Sequence, residues 1–285
     1  MKLGYLTIFN EDELRLASSI GYDGLEVHAK SWPADVLKST DKRREAAKLA
    51  SELQAKYNIA LTALSFYDAT FKPAAERISD FRIVIEFASE LGVPVVAAMS
   101  AGDPEKSLEE NIPIFKEAFG EIAKIAEDNG VKIAFENWPA VSNLPAKSKN
   151  FGFHPAAWEM MFDAVDSSAL GLEFDPSHLV WQFIDYISAV KTFGSRILHV
   201  HLKDTEIKED VLSCKGFFSR GWWRYRIPGF GVIDWAGFIS ALREVGYNGG
   251  AAIEHEDPVF SGERRVEGLK LGYNFLRPLF VKDSD

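Results

Sequence analysis

In NIPIFKEAFGEIAKIAEDNGVKIAFENW, residues 111–138, the spacing of apolar residues changes once, and that change decides the fold. Ile112, Phe115, Phe119, Ile122 and Ile125 recur at three and four residues, the period of one helix face. Gly130 then stands where a left-handed C-terminal cap is expected. The run that follows, VKIAF, reads as a buried strand over 132–136 that ends on a carboxylate, Glu136.

The same unit recurs along the chain. Strands are expected at 3–8, 24–28, 60–65, 94–98, 132–136, 170–175, 197–202 and 250–254, with amphipathic stretches such as DKRREAAKLASELQAKY and ISDFRIVIEFASELG between them. Gly21, Gly92 and Gly246 repeat the cap position of Gly130. Eight alternating units in 285 residues fit a (β/α)8 TIM barrel, an α/β fold of typically ~250 residues, as a single domain over residues 1–285. A doubly wound open sheet is the competing arrangement. Against it, no Gly-x-Gly-x-x-Gly follows the first strand, and no linker or shift in composition divides the chain.

Composition narrows the function classes. With 47% hydrophobic and 26% charged residues the chain is ordinary globular protein, able to bury a large core. A net charge of −10 disfavours nucleic acid and anionic membrane as partners. Cys214 is the single cysteine, which rules out an intramolecular disulfide and a cysteine zinc cage and suits a cytoplasmic setting. The apolar run 3–9 is interrupted by Thr7 and ended by Asn10 and acidic residues, so it reads as a first strand rather than a signal peptide. No apolar stretch approaches the ~18–20 residues of a membrane span.

In such barrels chemistry sits at the C-terminal ends of the strands. The last four strands end there in Glu136, Asp175, His201 and Glu254. Carboxylates and an imidazole around open positions suit one hard or borderline divalent ion, with Mn²⁺ ahead of Mg²⁺, Co²⁺ and Zn²⁺. Converging acids also require a cation or a proton among them. Each residue taken singly has a plainer reading, and Asp175 before Pro176 sits at a helix-capping position. In ILHVHLKD, period two sets His199, His201 and Lys203 on one face in ascending layers. His201 is then the ligand, and Lys203 above it either stabilises an oxyanion or pairs with Asp204 or the acidic cluster. His199, one layer deeper, is placed to orient one of the metal-ligating carboxylates, from the neighbouring strand, by hydrogen bonding. Glu26 and His28 share a face of the second strand, one toward the mouth and one toward the core.

The motifs FEN, DPSH, HVHLKD and IEHEDP, in this order, resemble the xylose isomerase-like TIM barrel superfamily of sugar phosphate isomerases and epimerases. The resemblance runs from GYDGLEVH through GFGVIDW, nearly the whole chain. It implies that Glu136, Asp175, His201 and Glu254 hold the metal and that His178 touches a substrate oxygen beside it. It also implies that Glu136 and Glu254 exchange a proton with a carbon next to a carbonyl through a stabilised enediolate, which makes the chain a sugar or keto-sugar isomerase or epimerase. A plainer reading of His178 is a polar residue in the first turn of the next helix. The alternative within the superfamily is a keto-sugar or inosose dehydratase, whose first proton abstraction is the same. An apurinic endonuclease needs histidines on the third and fourth strands, which here read ALTALSFYD and VVAAMSAG. A metal-free sugar-binding protein is the remaining alternative.

The stretch TEIKEDVLSCKGFFSRGWWRYRIPGFG, residues 205–231, shows no evident secondary structure and is long enough to be functional. Phe217, Phe218, Trp222, Trp223 and Tyr225 need a surface to pack on, and Arg220, Arg224 and Arg226 suit a phosphate or carboxylate. Arg226, Trp138, His28 and Lys203 join His178 as expected contacts of a small-molecule carbohydrate, with Lys147, Lys149 and His154 as a further rim. The same aromatic and arginine residues also suit a contact between copies of the chain in a homo-oligomer.

Overall fold

The computed structural model describes residues 1–140 and 148–281. Its strands are β1 (Lys2–Thr7), β2 (Gly24–His28), β3 (Ala60–Phe66), β4 (Val95–Ala98), β5 (Lys132–Glu136), β6 (Leu170–Phe174), β7 (Ile197–His201), β8 (Asp204–Ile207), β9 (Trp223–Arg226) and β10 (Gly250–Ile253). All but β8 and β9 form one closed parallel barrel, in which β10 pairs with β7 on one side and β1 on the other. The (β/α)8 barrel expected from the alternation is the fold observed. No helix among the described residues is long and apolar enough to cross a membrane.

The opening unit shows how local sequence builds the ring of helices. The helix Leu108–Asp128 begins before Asn111, because Ser107 and Glu110 form a reciprocal capping box that satisfies its first free N–H groups. Phe115, Phe119 and Ile122 are buried on its inner face. The chain then turns through Gly130 at φ +66° and enters β5. Gly21, Gly92 and Gly246 likewise have positive φ.

Two irregularities shape the barrel interior. β2 and β3 pair as Leu25↔Leu61 and then Glu26↔Ala63, which leaves Thr62 as an extra residue. β6 and β7 pair as Leu172↔Ile197 and then Glu173↔His199, which leaves Leu198 extra. Bulges of this kind re-aim side chains. Here Thr62 Oγ1 lies 3.2 Å from His199 Nε2, across the barrel. Gly250 makes the space: a Cβ at this position would sit 2.5 Å from Thr62 Cβ and 2.8 Å from His199 Nε2.

Segment 205–231 differs from expectation. It is an antiparallel hairpin of β8 and β9 enclosing a short helix, Glu209–Lys215, rather than a structureless loop. The strands escaped notice because their charged residues serve each other: Arg224 lies 2.7 Å from Glu206 across the pair, and Arg226 bonds the same carboxylate. The expected Lys203–Asp204 pairing is absent too, because Asp204 is turned away into the protein. It accepts hydrogen bonds from Thr205 N, Gly229 N, Ile233 N and Trp235 Nε1, at 2.9–3.1 Å, and so closes the hairpin's return to the helix Trp235–Glu244. Asp204→Ala strips four donors, three of them buried, of their acceptor. The expected loss is on the order of 3 kcal/mol, to be read from urea unfolding.

Candidate metal centre and active site

The C-terminal ends of β5, β6, β7 and β10 bring four donors together. Glu136 and His201 are the last residues of their strands, while Asp175 and Glu254 directly follow Phe174 and Ile253. One ligand atom from each of the four lies within 4.8 Å of the others. His201 Nδ1 is 3.1 Å from Glu254 Oε2 and 3.4 Å from Glu136 Oε1. Asp175 divides its two oxygens between two tasks. Oδ1 accepts from Ser177 N at 2.8 Å, capping the helix Pro176–Val180, and this pulls Asp175 out of β6. Oδ2 belongs to the donor cluster.

Asp175 Oδ2 and His201 Nδ1 are buried without a hydrogen-bond partner. Lys203 Nζ and His178 Nε2 each come within 3.2 Å of Asp175 Oδ2, but neither has hydrogen-bonding geometry. An unmatched buried polar atom costs ~1–3 kcal/mol. Two of them in one four-donor cluster are what a cation would satisfy, and three carboxylates with one imidazole are an oxygen-rich set suited to a divalent ion. The residues fit such an ion.

Deeper in the barrel a second polar layer holds His201 from behind. Its Nε2 lies 3.0 Å from Glu26 Oε2. The Tyr67 hydroxyl is 2.7 Å from Glu26 Oε1 and 2.6 Å from Glu173 Oε2. One hydroxyl hydrogen cannot serve two carboxylate oxygens, so this group holds one more proton. Burial, reinforced by Glu26, pushes the Glu173 carboxyl well above its ordinary range and makes it the holder. Burial opposes ionisation of Glu26 as well, but His201 beside it brings that carboxyl down to about 2. His199 Nδ1 lies 3.0 Å from Glu173 Oε1, and burial brings this imidazole down to about 4. Its carboxylate partner on the neighbouring strand is therefore Glu173, not one of the four donors.

Above the cluster, Lys203 is buried. Its ammonium donates to Glu254 Oε2 at 2.5 Å and to Glu256 Oε2 at 3.0 Å. Burial alone would lower it, yet Glu254, Asp175 and Glu256 raise it well above the ordinary lysine value, so it stays charged. Burial also works to raise Glu254 and Glu136. Lys203 and His201 overcome this at Glu254, and His178 and His201 do so at Glu136. His178 is buried with Nε2 3.4 Å from Glu136 Oε1 and Nδ1 2.6 Å from the Tyr225 hydroxyl.

The outer candidates divide. His28 is half-buried, with Nδ1 3.0 Å from Ser65 Oγ and its ring edge-on to Tyr67. Trp138 is 41% exposed on the segment after β5. The Arg226 guanidinium is taken up by Asp257 Oδ2, at 2.8 Å, and by Glu206, which fastens the hairpin to the segment after β10. His154 caps the helix Pro155–Ala164, and Lys149 is exposed. Lys147 lies outside the described residues. Sequence reasoning missed Tyr67, Glu173, Tyr225 and two asparagines. Asn137 clamps the Asp175 backbone at both N and O, and Asn150 Nδ2 donates to Glu136 O at 2.9 Å. Glu173 left a signal as a charge inside an otherwise apolar strand on the inward face, Asn137 stands in the FEN motif, and Tyr225 was read only as an aromatic needing a surface.

The xylose isomerase-like TIM barrel family model matches residues 14–279, and the chain belongs to this family. A Bacillus subtilis protein called "Uncharacterized protein YfiH" is 30% identical, covering 95% of this chain and 98% of that protein. An inosose isomerase of Bacillus velezensis is 29% identical, covering 91% and 88%. An inosose dehydratase of Bacillus thuringiensis is 26% identical over 67% of each chain. Among solved structures, the IolI protein with a bound zinc atom superposes with a TM-score of 0.74 at 22% identity, covering 99% of this chain and 100% of that one. D-psicose 3-epimerase in the presence of D-fructose superposes with a TM-score of 0.71 at 16% identity, covering 98% and 99%. These two likenesses show the fold.

Glu26→Gln removes the anionic acceptor behind His201 and leaves the four donors intact. Divalent-ion affinity, measured by titration calorimetry, is expected to weaken about 10- to 100-fold.

Proposed function

We propose that the protein is a divalent-metal-dependent enzyme that moves a proton beside the carbonyl of a small keto-polyol, isomerising or epimerising it. The observation that carries this reading is the pair of orphaned atoms, Asp175 Oδ2 and His201 Nδ1, in one buried cluster with Glu136 and Glu254. When bound, a divalent ion supplies Lewis acidity that polarises a carbonyl and offsets the charge of an enediolate. Mn²⁺ is the proposed ion, on the oxygen-rich donor set.

The chain's own residues then divide the work. Glu136 and Glu254 come from β5 and β10, which are separated by β6 and β7 around the barrel, so they approach a bound molecule from different sides. Each uses one oxygen in the cluster, which leaves its second oxygen to take or return a proton. His178, His201 and Lys203 hold both carboxyls below their ordinary values, which keeps them in the ionised form at some cost in basicity. Lys203 offers a fixed positive charge where an oxyanion develops. His178, His28 and Trp138 complete the proposed carbohydrate contacts.

The names of the relatives support a keto-inositol as the first substrate to try, since isomerisation and dehydration of an inosose begin with the same proton abstraction. Dehydration is the second reading, favoured by Glu256. This carboxyl is half-exposed and bonded to Lys203 at the rim, where it can pass a proton to a departing hydroxyl.

Two experiments test the proposal. Protein titrated with Mn²⁺ should bind one ion per chain, and His201→Ala should lose that binding; wild-type protein that binds none would refute the metal-dependent reading. Incubated with an inosose in deuterated water, the wild-type protein should place deuterium next to the carbonyl. Glu136→Gln should slow that exchange by about 100-fold or more while substrate still binds. Undiminished exchange in Glu136→Gln removes Glu136 from the proton path.

A further inference from the structure

We propose that Tyr225, on the β8–β9 hairpin, is a positioning residue of this site. Its hydroxyl holds His178 with Nε2–H turned toward the donor cluster, and its ring seats the Lys203 ammonium. The proposal deepens the function given above and rests on it for the reaction, though not for the geometry.

Three contacts bind the hairpin to the short helix that carries His178. Thr205 Oγ1 donates to Ser177 O at 2.8 Å. Trp223 stacks on Trp181 with ring centroids 4.8 Å apart and planes 3° from parallel. Tyr225, cross-strand partner of Thr205, brings its hydroxyl to 2.6 Å from His178 Nδ1. The hairpin and the His178 turn therefore move as one body.

The direction of the Tyr225–His178 bond follows from both ends. His178 Nε2 faces Asp175 Oδ2 at 3.2 Å and Glu136 Oε1 at 3.4 Å. Ionised carboxylate oxygens only accept, so a bare ring nitrogen there would set lone pair against lone pair, and Nε2 must carry hydrogen. At the other end, Trp181 Nε1–H donates to the Tyr225 oxygen at 3.4 Å, and the phenol's own hydrogen finds its acceptor in His178 Nδ1. The chain Trp181 to Tyr225 to His178 thus selects the Nε2–H form of the imidazole and points its donor at the place where a substrate oxygen would lie.

The same ring serves Lys203. Its ammonium lies 4.4 Å from the Tyr225 ring centroid, a cation–π contact in a buried setting, while it bonds Glu254 and Glu256. One side chain thereby fixes two groups that no barrel strand places alone.

The test uses zinc-loaded protein carrying ¹⁵N-histidine, with the His178 signals identified by their loss in His178→Gln. Long-range ¹H–¹⁵N correlations should show His178 protonated at Nε2 and bare at Nδ1. Tyr225→Phe, which keeps the ring, should turn this into a mixture of tautomers. It should also lower kcat for deuterium exchange about 10- to 100-fold, with a smaller change in KM and an unchanged unfolding midpoint. A wild-type His178 protonated at Nδ1 overturns the proposal. So does a Tyr225→Phe protein with unaltered His178 signals and unaltered kcat. Should wild-type protein exchange deuterium into no keto-polyol, the proposed function falls, while the His178 signals still decide the case for Tyr225.

Discussion

The site depends on how one imidazole is shared. His201 ends β7 at the barrel axis with Nε2 against Glu26 and Nδ1 among Glu136, Asp175 and Glu254. Because Glu26 is ionised and stands behind the ring, the ring's outward nitrogen is fixed in direction and basicity, as a carboxylate behind a ligating histidine does. Tyr67 and the protonated Glu173 hold Glu26 in turn, and His199 and Thr62 hold Glu173. A point of contact at the mouth is thus supported through two further layers of barrel interior.

Charge compensation explains why so many acids tolerate burial together. Glu26, Glu136, Glu173, Asp175 and Glu254 occupy one end of the barrel with the imidazoles of His178, His199 and His201 and the Lys203 ammonium near them. Left ionised and alone they would repel. The protein answers differently in each layer, with a trapped proton on Glu173 below and with the Lys203 ammonium above. Between these layers lie the two orphaned atoms, which a cation would satisfy, whereas the donors of the deeper group already pair with each other.

How much of this was legible depends on how local each cause is. The barrel was readable because amphipathic helices, glycine caps and short buried strands are encoded within each unit, from Ser107 to Glu136 in the clearest case. The four donors were readable because barrel geometry makes each strand end a functional position. The hairpin at 205–231 was not, since its pairing is stabilised by cross-strand ion pairs and by Asp204, whose partners lie as far along as Trp235. Tyr67 sits just beyond the end of β3, where no periodicity marks it, and Tyr225 lies within β9, whose pairing no local pattern announced. Arg226 looked like a free cation in sequence, but folding brings Asp257 to it from across the C-terminal face.

By itself, the sequence determined the order of the eight barrel strands and the helices between them and which side chains stand at the strand ends, because period and capping act over a few residues. Only the tertiary structure decided what each of them does. Closure of the barrel turns Glu173 from a strand residue into a proton holder, and bulges at Thr62 and Leu198 bring His199 into its network. The β8–β9 hairpin, folding back, places Tyr225 between His178 and Lys203. These outcomes depend on distances between residues far apart in the chain, and the closure of the barrel sets those distances.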